Sequence, residues 1–367
     1  MKLLSTPFTL LDKDIPNRFL RSATMESMAD CKGLVTDELL ELYDRLAQGG
    51  SGIVITGCAA VQPSGRAWSR QLGAWDDAHI PGLERLARLI HTIGIKTLCA
   101  VQLAHQGSAG YGYSYGALEH SWSLGDLSEQ AISQVIDDFA KAAARTVTAG
   151  FDAVAVHGAH GYLVSEFFSP VTNTRSDHWG GTLEKRMHFP LEVCAAIRRE
   201  IGTEVPILWK QNVSDFIEGG AGEEEYSALA SALVANGVDM IELSGGLKDQ
   251  IKLRAKLGRA AGKAEAYFGY AVPEFRKAVG KAALAVTGGL RSLEAMESLL
   301  EQGVDFVGLC RPLISEPDLP MRLMHGPDLR KSRCTSCNKC LLHISKEPLS
   351  CIEFDPFQAK LRQLGLN

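Results

Sequence analysis

Three short segments of this chain share one sequence pattern, in which a glycine and an aspartate separate a helical stretch from an apolar run. The segments are Thr148-Ala-Gly-Phe-Asp152, Ala235-Asn-Gly-Val-Asp239 and Glu301-Gln-Gly-Val-Asp305. A glycine directly after a helix provides the left-handed residue that closes the last turn. The apolar run that follows is typical of a buried strand. Three copies of one junction therefore indicate a repeated helix-to-strand unit.

Eight apolar segments of strand length alternate with helical stretches along the chain. They are Arg18–Ala23, Gly52–Thr56, Thr97–Leu103, Ala153–Val156, Pro206–Lys210, Met240–Leu243, Leu284–Thr287 and Phe306–Leu309. This alternation predicts a parallel sheet of the α/β class, and eight units fit a closed (β/α)8 TIM barrel, which usually needs about 250 residues. An open doubly wound sheet is the alternative. It would favour a G-x-G-x-x-G turn after the first strand, where this chain has Arg21-Ser-Ala-Thr-Met-Glu26 instead.

The remaining length is predicted to lie in loops at the catalytic face and in a C-terminal extension. The long loops follow the third, fourth and sixth strands, at roughly 105–127, 162–182 and 246–268. We expect a barrel over residues 1–325 and a cysteine-containing extension over residues 326–367 that packs on it.

Composition and charge narrow the class of protein. With 46% hydrophobic residues and a net charge of -5, the chain has the profile of a globular protein and lacks the basic surface that nucleic acid requires. No uncharged apolar run reaches the roughly 18 residues of a membrane span. The N-terminus lacks the continuous apolar core of a signal peptide. We expect a cytoplasmic protein with neither a nucleic-acid partner nor a membrane.

Two histidines and a tyrosine follow the fourth predicted strand, at His157, His160 and Tyr162. A single histidine there would suit a core or capping role, and a metal site would need further ligands, which are not adjacent in sequence. Alternatively, two imidazole N–H groups can hold one carbonyl or nitro oxygen and stabilise negative charge that develops on it. A tyrosine is protonated at neutral pH and can supply a proton.

The residues around this group resemble a known family. H-G-A-H-G-Y followed by E-F-F-S-P-x-x-N-x-R-x-D-x-W-G-G-T-x-E-x-R, within 157–186, is similar to the fourth-strand signature of the Old Yellow Enzyme family of FMN-dependent ene-reductases. Further matches are Asn17-Arg18, Val61-Gln-Pro-Ser-Gly-Arg66, Leu72-Gly-Ala-Trp-Asp-Asp-Ala-His79 and Gln102-Leu-Ala-His105. The resemblance covers roughly Phe8 to Leu323.

The resemblance implies FMN across the barrel mouth and NAD(P)H as the reductant. Gln102 would hydrogen-bond the pyrimidine edge of the flavin, and Lys210 would be the cationic group near N1. The ring would be lined by Ala23, Thr24 and Ala60, and the phosphate would be bound by Gly288, Gly289, Cys310 and Arg311. Met25 occupies the position where several relatives have a cysteine or threonine beside the flavin C4 oxygen, so the tuning of the redox potential is expected to differ.

The resemblance also implies roles in a ping-pong reaction that reduces an activated alkene or an enoyl-type substrate. His157 and His160 would hold the electron-withdrawing oxygen of the substrate, and Tyr162 would protonate the carbon that does not receive the hydride. A salt-bridged brace for the following loop is expected from Arg175, Asp177, Glu184 and Arg186. The tract Gly110-Tyr-Gly-Tyr-Ser-Tyr-Gly116 suits either a surface hairpin or an aromatic flap. Relatives often associate, so a homo-oligomer is also considered.

Four cysteines crowd the C-terminal part of the chain in the pattern C-x2-C-x2-C-x10-C, at Cys334, Cys337, Cys340 and Cys351. Clustered cysteines in a chain without an export signal favour metal binding over disulfides. The pattern resembles the [4Fe-4S] ligand set of the branch that includes 2,4-dienoyl-CoA reductase and trimethylamine dehydrogenase, with one residue fewer in the central gap. No FAD- or NAD-binding domain precedes Asn367, so such a cluster is expected to need another electron donor. Tetrahedral zinc, or no metal, are the alternatives.

Two further functions stay open beside the ene-reductase. One is an iron-sulfur flavoprotein of the dienoyl-CoA reductase or amine demethylase type, and the other is a flavin-binding electron-transfer subunit without a small substrate. A flavin-free barrel lyase is disfavoured, because the matches at Gln102, Lys210 and Arg311 would then be accidental.

Overall fold

A computed structural model describes residues 3–94, 96–108, 124–247, 265–344 and 347–354. Its centre is a closed barrel of eight parallel strands, in which each strand pairs with the next one along the chain and the last pairs with the first. The predicted TIM barrel is therefore confirmed, and each of the eight predicted strand segments overlaps one barrel strand. The barrel strands are β3 Phe19–Arg21, β4 Ile53–Ala60, β5 Leu98–Ala104, β6 Ala153–Gly158, β7 Ile207–Asn212, β8 Met240–Ser244, β9 Ala283–Thr287 and β10 Phe306–Leu309.

Helices cover the outside of the barrel. They are α1 Asp37–Gln48, α2 Ile80–Ile93, α3 Glu129–Thr148, α4 Leu163–Phe168, α5 Leu183–Ile201, α6 Glu223–Ala235, α7 Val272–Val279, α8 Leu293–Glu301, α9 Arg311–Ser315, α10 Leu319–His325 and α11 Lys339–His343. Their buried side chains form one large core with the outer faces of the strands, while a smaller cluster fills the barrel interior. Within the described ranges, no helix is long and apolar enough to cross a bilayer.

A short antiparallel hairpin precedes the barrel, formed by β1 Phe8–Leu10 and β2 Lys13–Ile15. Its apolar residues Leu10 and Ile15 are buried together with the first residues of several barrel strands, including Ile53 and Leu98. The hairpin therefore closes the N-terminal end of the barrel. This hairpin could not be predicted from the sequence, because two three-residue strands give too short an alternation to recognise.

The three repeated junctions have one backbone conformation. Their glycines, Gly150, Gly237 and Gly303, have φ angles of 87°, 96° and 95°, the left-handed region that favours glycine. This confirms the helix-closing role that the pattern predicts.

The aspartate of each junction makes the same set of hydrogen bonds at the N-terminal face of the barrel. We call this arrangement the aspartate clasp. One carboxylate oxygen accepts a backbone N–H from the start of the preceding strand and a side-chain N–H from the helix before that strand. The clasps are Asp152 with Cys99 N (2.8 Å) and His91 (2.8 Å), Asp239 with Ile207 N (2.8 Å) and Arg198 (2.8 Å), and Asp305 with Leu284 N (2.9 Å) and Arg276 (2.8 Å). Each clasp ties a helix and two neighbouring strands together.

Candidate active site

The two histidines and the tyrosine predicted from the sequence lie together at the carboxyl end of β6. The ring of His157 is 5.0 Å from that of His160 and 4.8 Å from that of Tyr162, centroid to centroid. His157 is buried within the strand, whereas His160 and Tyr162 are partly exposed. All three side chains thus border one small region at the barrel mouth.

The backbone after β6 is shaped to present His160. This residue has a φ of 69°, a left-handed conformation that is uncommon outside glycine. Its backbone N–H donates to Asn212 Oδ1 (3.0 Å), and its ring Nε2 lies 2.7 Å from Ser244 Oγ. Side chains from the ends of β7 and β8 therefore fix the position of His160.

A buried ion pair lies next to this group. Lys210 is paired with His157 in the register of β6 and β7, and its ammonium donates to Glu242 Oε1 (2.9 Å) and Ser22 Oγ (2.7 Å). The Lys210 and Glu242 side chains are 4% and 2% exposed. Burial alone would lower the pKa of Lys210, but the Glu242 carboxylate and the nearby Cys310 sulfur outweigh it, so the pKa is raised. Lys210 is therefore a fixed positive charge.

Two hydroxyl groups complete the network around Glu242. Ser22 Oγ and Thr287 Oγ1 both donate to Glu242 Oε1, each at a distance of 2.5 Å. A Cβ at Gly308 would lie 1.7 Å from Thr287 Oγ1, so a glycine at that position leaves room for the hydroxyl. Side chains from three other parts of the barrel mouth, Ser22, Lys210 and Thr287, thus converge on the Glu242 carboxylate. Ser22, Glu242 and Thr287 were not predicted as site residues, since nothing in their spacing along the sequence indicates that they meet.

Gln102 lies at the carboxyl half of β5 and is 1% exposed. Its Oε1 accepts a hydrogen bond from the Cys58 thiol (3.2 Å). Its Nε2 has no hydrogen-bond partner among the described residues. A buried amide donor without an acceptor is costly. The Gln102 Nε2 donor therefore fits a ligand with carbonyl or ring nitrogen acceptors, such as the pyrimidine edge of a flavin. Lys210, with two of its three ammonium hydrogens occupied by described residues, can donate to the same kind of ligand.

The predicted ring-lining residues surround the same mouth. Ala60 ends β4 and is buried, while Ala23, Thr24 and Met25 follow β3 and are partly buried.

Glu26, directly after Met25, has a structural role that the sequence analysis did not predict. Its carboxylate accepts from Gly57 N (2.6 Å) and from the Tyr43 hydroxyl, and it lies 3.6 Å from the Arg21 guanidinium. A Cβ at Gly57 would lie 1.9 Å from Glu26 Oε2, so the glycine is required for this approach. Burial raises the pKa of Tyr43 well above its usual value, which keeps the phenol protonated as the donor. The loop that carries Met25 is thereby anchored.

The four residues predicted to hold a phosphate lie in two adjacent loops. Gly288 and Gly289 follow β9, and Gly289 has a φ of 72°. Cys310 follows β10 and directly precedes α9, which begins at Arg311. The Arg311 guanidinium hydrogen-bonds Asn338 in the C-terminal extension and lies 3.5 Å from the Tyr267 hydroxyl. In this structure Arg311 therefore links the loop to the extension.

The loop between α4 and α5 is braced by ion pairs, as the sequence analysis expected for Arg175, Asp177 and Arg186. Arg175 binds Asp177 through two nitrogens and donates to the Leu124 carbonyl (2.7 Å). Arg186 pairs with Glu225 (2.5 Å) on α6. Glu184 instead lies in the first turn of α5, where its own backbone N–H and the Thr182 hydroxyl lower the pKa of its carboxyl group.

The four clustered cysteines line a single cavity of about 20 Å³, together with Arg311 and Asn338. All four are free thiols. Burial raises the pKa of Cys340 to about 12, and the neighbouring sulfurs add to this rise. Mutual repulsion between thiolates is relieved by a bound cation. The donor set therefore fits a metal group.

The extension is held against the barrel beside the candidate flavin site. Arg291 donates to the Cys334 carbonyl (3.1 Å), and Leu349 N donates to the Glu26 carbonyl (2.8 Å). The proposed domain boundary at 325/326 stays a prediction. The Gly110–Gly116 tract and residues 355–367 lie outside the described residues.

A closed parallel barrel with buried polar groups at its carboxyl end defines a protein of the TIM-barrel class. The chain belongs to the NADH:flavin oxidoreductase / NADH oxidase family, whose sequence profile matches residues 3–329. It is thus a member of a family of flavin-dependent oxidoreductase enzymes.

Curated relatives of two lengths resemble the chain. The metal reductase of Desulforamulus reducens is 33% identical over 368 residues, covering 96% of this chain and 53% of the relative. The NADH oxidase of Thermoanaerobacter brockii is 32% identical over 337 residues, covering 88% and 51%. The chain spans about half the length of these two relatives. The NADPH dehydrogenase of Listeria welshimeri is 32% identical over 330 residues, covering 86% and 93%.

Solved structures show the same division. A 2-naphthoyl-CoA reductase in complex with 2-naphthoyl-CoA superposes with a TM-score of 0.88 at 26% identity, covering 98% of this chain and 57% of that one. Histamine dehydrogenase from Rhizobium sp. 4-9 has a TM-score of 0.81 at 25% identity, covering 98% and 53%. The Old Yellow Enzyme homologue from Zymomonas mobilis has a TM-score of 0.72 at 24% identity, covering 91% and 96%, and supports the fold alone.

Proposed function

We propose that this protein is an FMN-dependent oxidoreductase that uses NAD(P)H to reduce an activated C=C bond in an enone-like or enoyl-type substrate. The observation that carries the proposal is the ring cluster at the barrel mouth, in which His157 lies 5.0 Å from His160 and 4.8 Å from Tyr162. Beside it lie the buried Lys210 charge and Gln102, whose Nε2 has no hydrogen-bond partner among the described residues.

The residues present fit FMN. When bound, FMN supplies a centre that accepts a hydride from NAD(P)H and passes it to an electron-poor alkene. Gln102 Nε2 would donate to the pyrimidine edge, and Lys210 would provide positive charge where the reduced ring is negative. The ring would be lined by Ala23, Thr24, Met25 and Ala60, and the phosphate would be bound by Gly288, Gly289, Cys310 and Arg311. To take this role, Arg311 would share its guanidinium between Asn338 and the phosphate.

The protein's own groups would then direct the reduction of the substrate. His157 and His160 would donate hydrogen bonds to the substrate oxygen and stabilise the charge that grows on it as the C=C bond is reduced. The contacts of His160 with Asn212 and Ser244 hold it in place before the substrate arrives. Tyr162 would give its phenolic proton to the carbon that does not receive the hydride.

The test is the colour of the flavin followed in two separate half-reactions. The purified protein is expected to be yellow, to bleach with NAD(P)H, and to regain colour with cyclohexenone. Tyr162→Phe is expected to slow the second half-reaction by about 10²-fold or more and to leave the first unchanged. Tyr270→Phe, at a phenol that is 55% exposed, is the matched control. A colourless protein that cannot be reconstituted with FMN would contradict the proposal.

A second candidate is the iron-sulfur flavoprotein, in which the four-cysteine cavity holds a [4Fe-4S] cluster. Two observations support it. The four thiols line one cavity. The chain also superposes with higher TM-scores on 2-naphthoyl-CoA reductase and histamine dehydrogenase, which are nearly twice its length, than on the shorter Old Yellow Enzyme homologue. No three of the four sulfurs, all in the described part of the chain, lie within 4.8 Å of one another. Tetrahedral zinc with bonds of about 2.3 Å would hold them closer, at about 3.8 Å, so the spacing favours the larger cluster.

Anaerobic iron and sulfide analysis distinguishes the two candidates. The iron-sulfur flavoprotein is expected to contain about four of each per chain, lost in Cys340→Ala and retained in Cys31→Ala, whose thiol lies elsewhere on the surface. Protein that binds FMN but contains neither iron nor sulfide after anaerobic reconstitution would contradict it and leave the ene-reductase standing.

A further inference from the structure

The first of the three aspartate clasps differs from the other two in the chemistry of its partners. In the second and third clasps, the side-chain donor is an arginine and the strand residue is aliphatic: Arg198 with Ile207, and Arg276 with Leu284. Neither an arginine nor an aliphatic side chain is a ligand for a metal ion. In the first clasp the same two places are taken by His91 and Cys99, so all three side chains are of types that bind transition metals.

The three ligand atoms already lie together. His91 Nε2 is 2.8 Å from Asp152 Oδ2 and 3.2 Å from Cys99 Sγ. Within the described residues, this is the one group of three or more such side chains whose ligand atoms all lie within 4.8 Å of one another. Tetrahedral zinc would place the nitrogen about 3.4 Å from the oxygen and about 3.5 Å from the sulfur. The distances from His91 Nε2 to the oxygen and to the sulfur would therefore have to lengthen by about half an ångström or less.

Charge and access also suit a divalent cation. A thiolate and a carboxylate balance two positive charges, and neutral His91 completes a three-residue set with a fourth place for water. Cys99 is fully buried, whereas the His91 and Asp152 side chains are 39% and 27% exposed. An ion can therefore enter from the His91 side, and His91 can move to accommodate it. Burial and the Asp152 charge raise the pKa of the Cys99 thiol, so binding would displace its proton to solvent.

We propose that His91, Cys99 and Asp152 form a binding site for a zinc-like divalent ion at the N-terminal face of the barrel. On metal binding, the Cys99 S–H proton leaves to solvent and His91 gives up its Nε2 proton, remaining neutral with its proton on Nδ1. The Nε2–H contact with Asp152 is thereby exchanged for two bonds to the ion. The site joins the end of α2 to the starts of β5 and β6, opposite the barrel mouth. Its role is to stabilise the fold, and it does not depend on the proposed ene-reductase activity.

The experiment uses Co²⁺ as a coloured substitute for zinc, titrated into the reduced full-length protein after chelation. Wild type is compared with His91→Arg, which copies the other two clasps, and with Cys99→Ala. Cys194→Ala is the matched control, because Cys194 is also a buried thiol, lies beside the Arg198–Asp239 clasp, and has a pKa raised to about 12. Any ion held by the four-cysteine cavity is common to all four proteins.

The expected result is a loss of one equivalent of Co²⁺, with its thiolate absorption, in His91→Arg and in Cys99→Ala, and no loss in Cys194→Ala. Zn²⁺ should also raise the melting temperature of wild type more than that of His91→Arg, which gives an answer if Cys99→Ala does not fold. Equal binding by wild type and His91→Arg would overturn the proposal and identify the group as a hydrogen-bonded clasp only.

Discussion

The two ends of the barrel are built from the same strands but use their polar residues differently. At the N-terminal face, each clasp carboxylate accepts a backbone and a side-chain hydrogen bond and faces partly to solvent. At the mouth, polar groups are buried around a shared space, and Gln102 Nε2 has no partner among the described residues. Three strands contribute to both ends, through Cys99 and Gln102 of β5, Ile207 and Lys210 of β7, and Leu284 and Thr287 of β9.

The two ends of the barrel differ in what provides the hydrogen-bond partners of their polar groups. The second and third clasps are complete within the chain, so their interactions serve the fold. The mouth holds charge and donors that folding alone does not require, since a buried charge and an unpaired amide both cost free energy. Such groups are typical of a site that a ligand completes. The contrast predicts that equivalent substitutions at the two ends have unequal effects.

The largest effect is expected at Glu242. Replacing it with leucine removes the partner of a buried ammonium and leaves two hydroxyl donors without their acceptor. We expect Glu242→Leu to lower the free energy of unfolding by about 3–5 kcal/mol, measured by denaturant titration. Glu242→Gln keeps the shape and one acceptor oxygen and should lose less. A loss below about 1 kcal/mol for the leucine variant would show that Lys210 is stabilised by other means.

A smaller effect is expected at the clasp of Asp239. Asp239→Asn weakens the hydrogen bonds from Arg198 and from Ile207 N. The side chains of Arg198 and Asp239 are 15% and 16% exposed. We expect a loss of about 1–2 kcal/mol with no change in either flavin half-reaction. Glu84→Gln, which breaks the exposed pair with Arg88, is the control and should change stability by less than about 0.5 kcal/mol. If Asp239→Asn altered the half-reactions, the two ends would not be independent.

The sequence predicted the repeating part of this molecule well. Eight strand segments and three glycine junctions follow local rules, since periodicity and a left-handed glycine depend on adjacent residues. The positions of His157, His160 and Tyr162 could also be predicted, because all three follow one strand. Their roles, and those of the predicted cofactor-binding residues, stay predictions.

The parts that were missed depend on distant residues meeting. Ser22 follows β3, whereas Glu242 and Thr287 lie on β8 and β9, so the three converge only when the barrel closes. Cys99 lies in an apolar segment of the sequence, which gives no sign that His91 and Asp152 meet it. The docking of Leu349 on Glu26 could not be predicted either, since it joins residues 323 positions apart through their backbones.

The smallest effect concerns the pH dependence of the first clasp, which alone of the three uses histidine. The hydrogen bond to Asp152 raises the pKa of His91 above its ordinary 6.5. Burial would raise the pKa of Asp152, but its bonds to His91 and to Cys99 N outweigh this, so its pKa is lowered. The His91 contribution to stability is thus complete below about pH 6.5 and is lost as the pH rises through the raised value. The Asp152 contribution is lost only as the pH falls through the lowered value.

His91→Arg should remove this dependence, because a guanidinium stays charged throughout. The measurement is the free energy of unfolding of wild type relative to His91→Arg, in the presence of a chelator. This difference should fall as the pH rises above about 6.5, by between a few tenths of a kcal/mol and about 1 kcal/mol. The effect is small because the imidazole is 39% exposed and screened by solvent. Asp152→Asn should flatten the same difference. A wild type that gained stability relative to His91→Arg over this range would mean that the neutral imidazole, and not the imidazolium, is the form that the clasp holds.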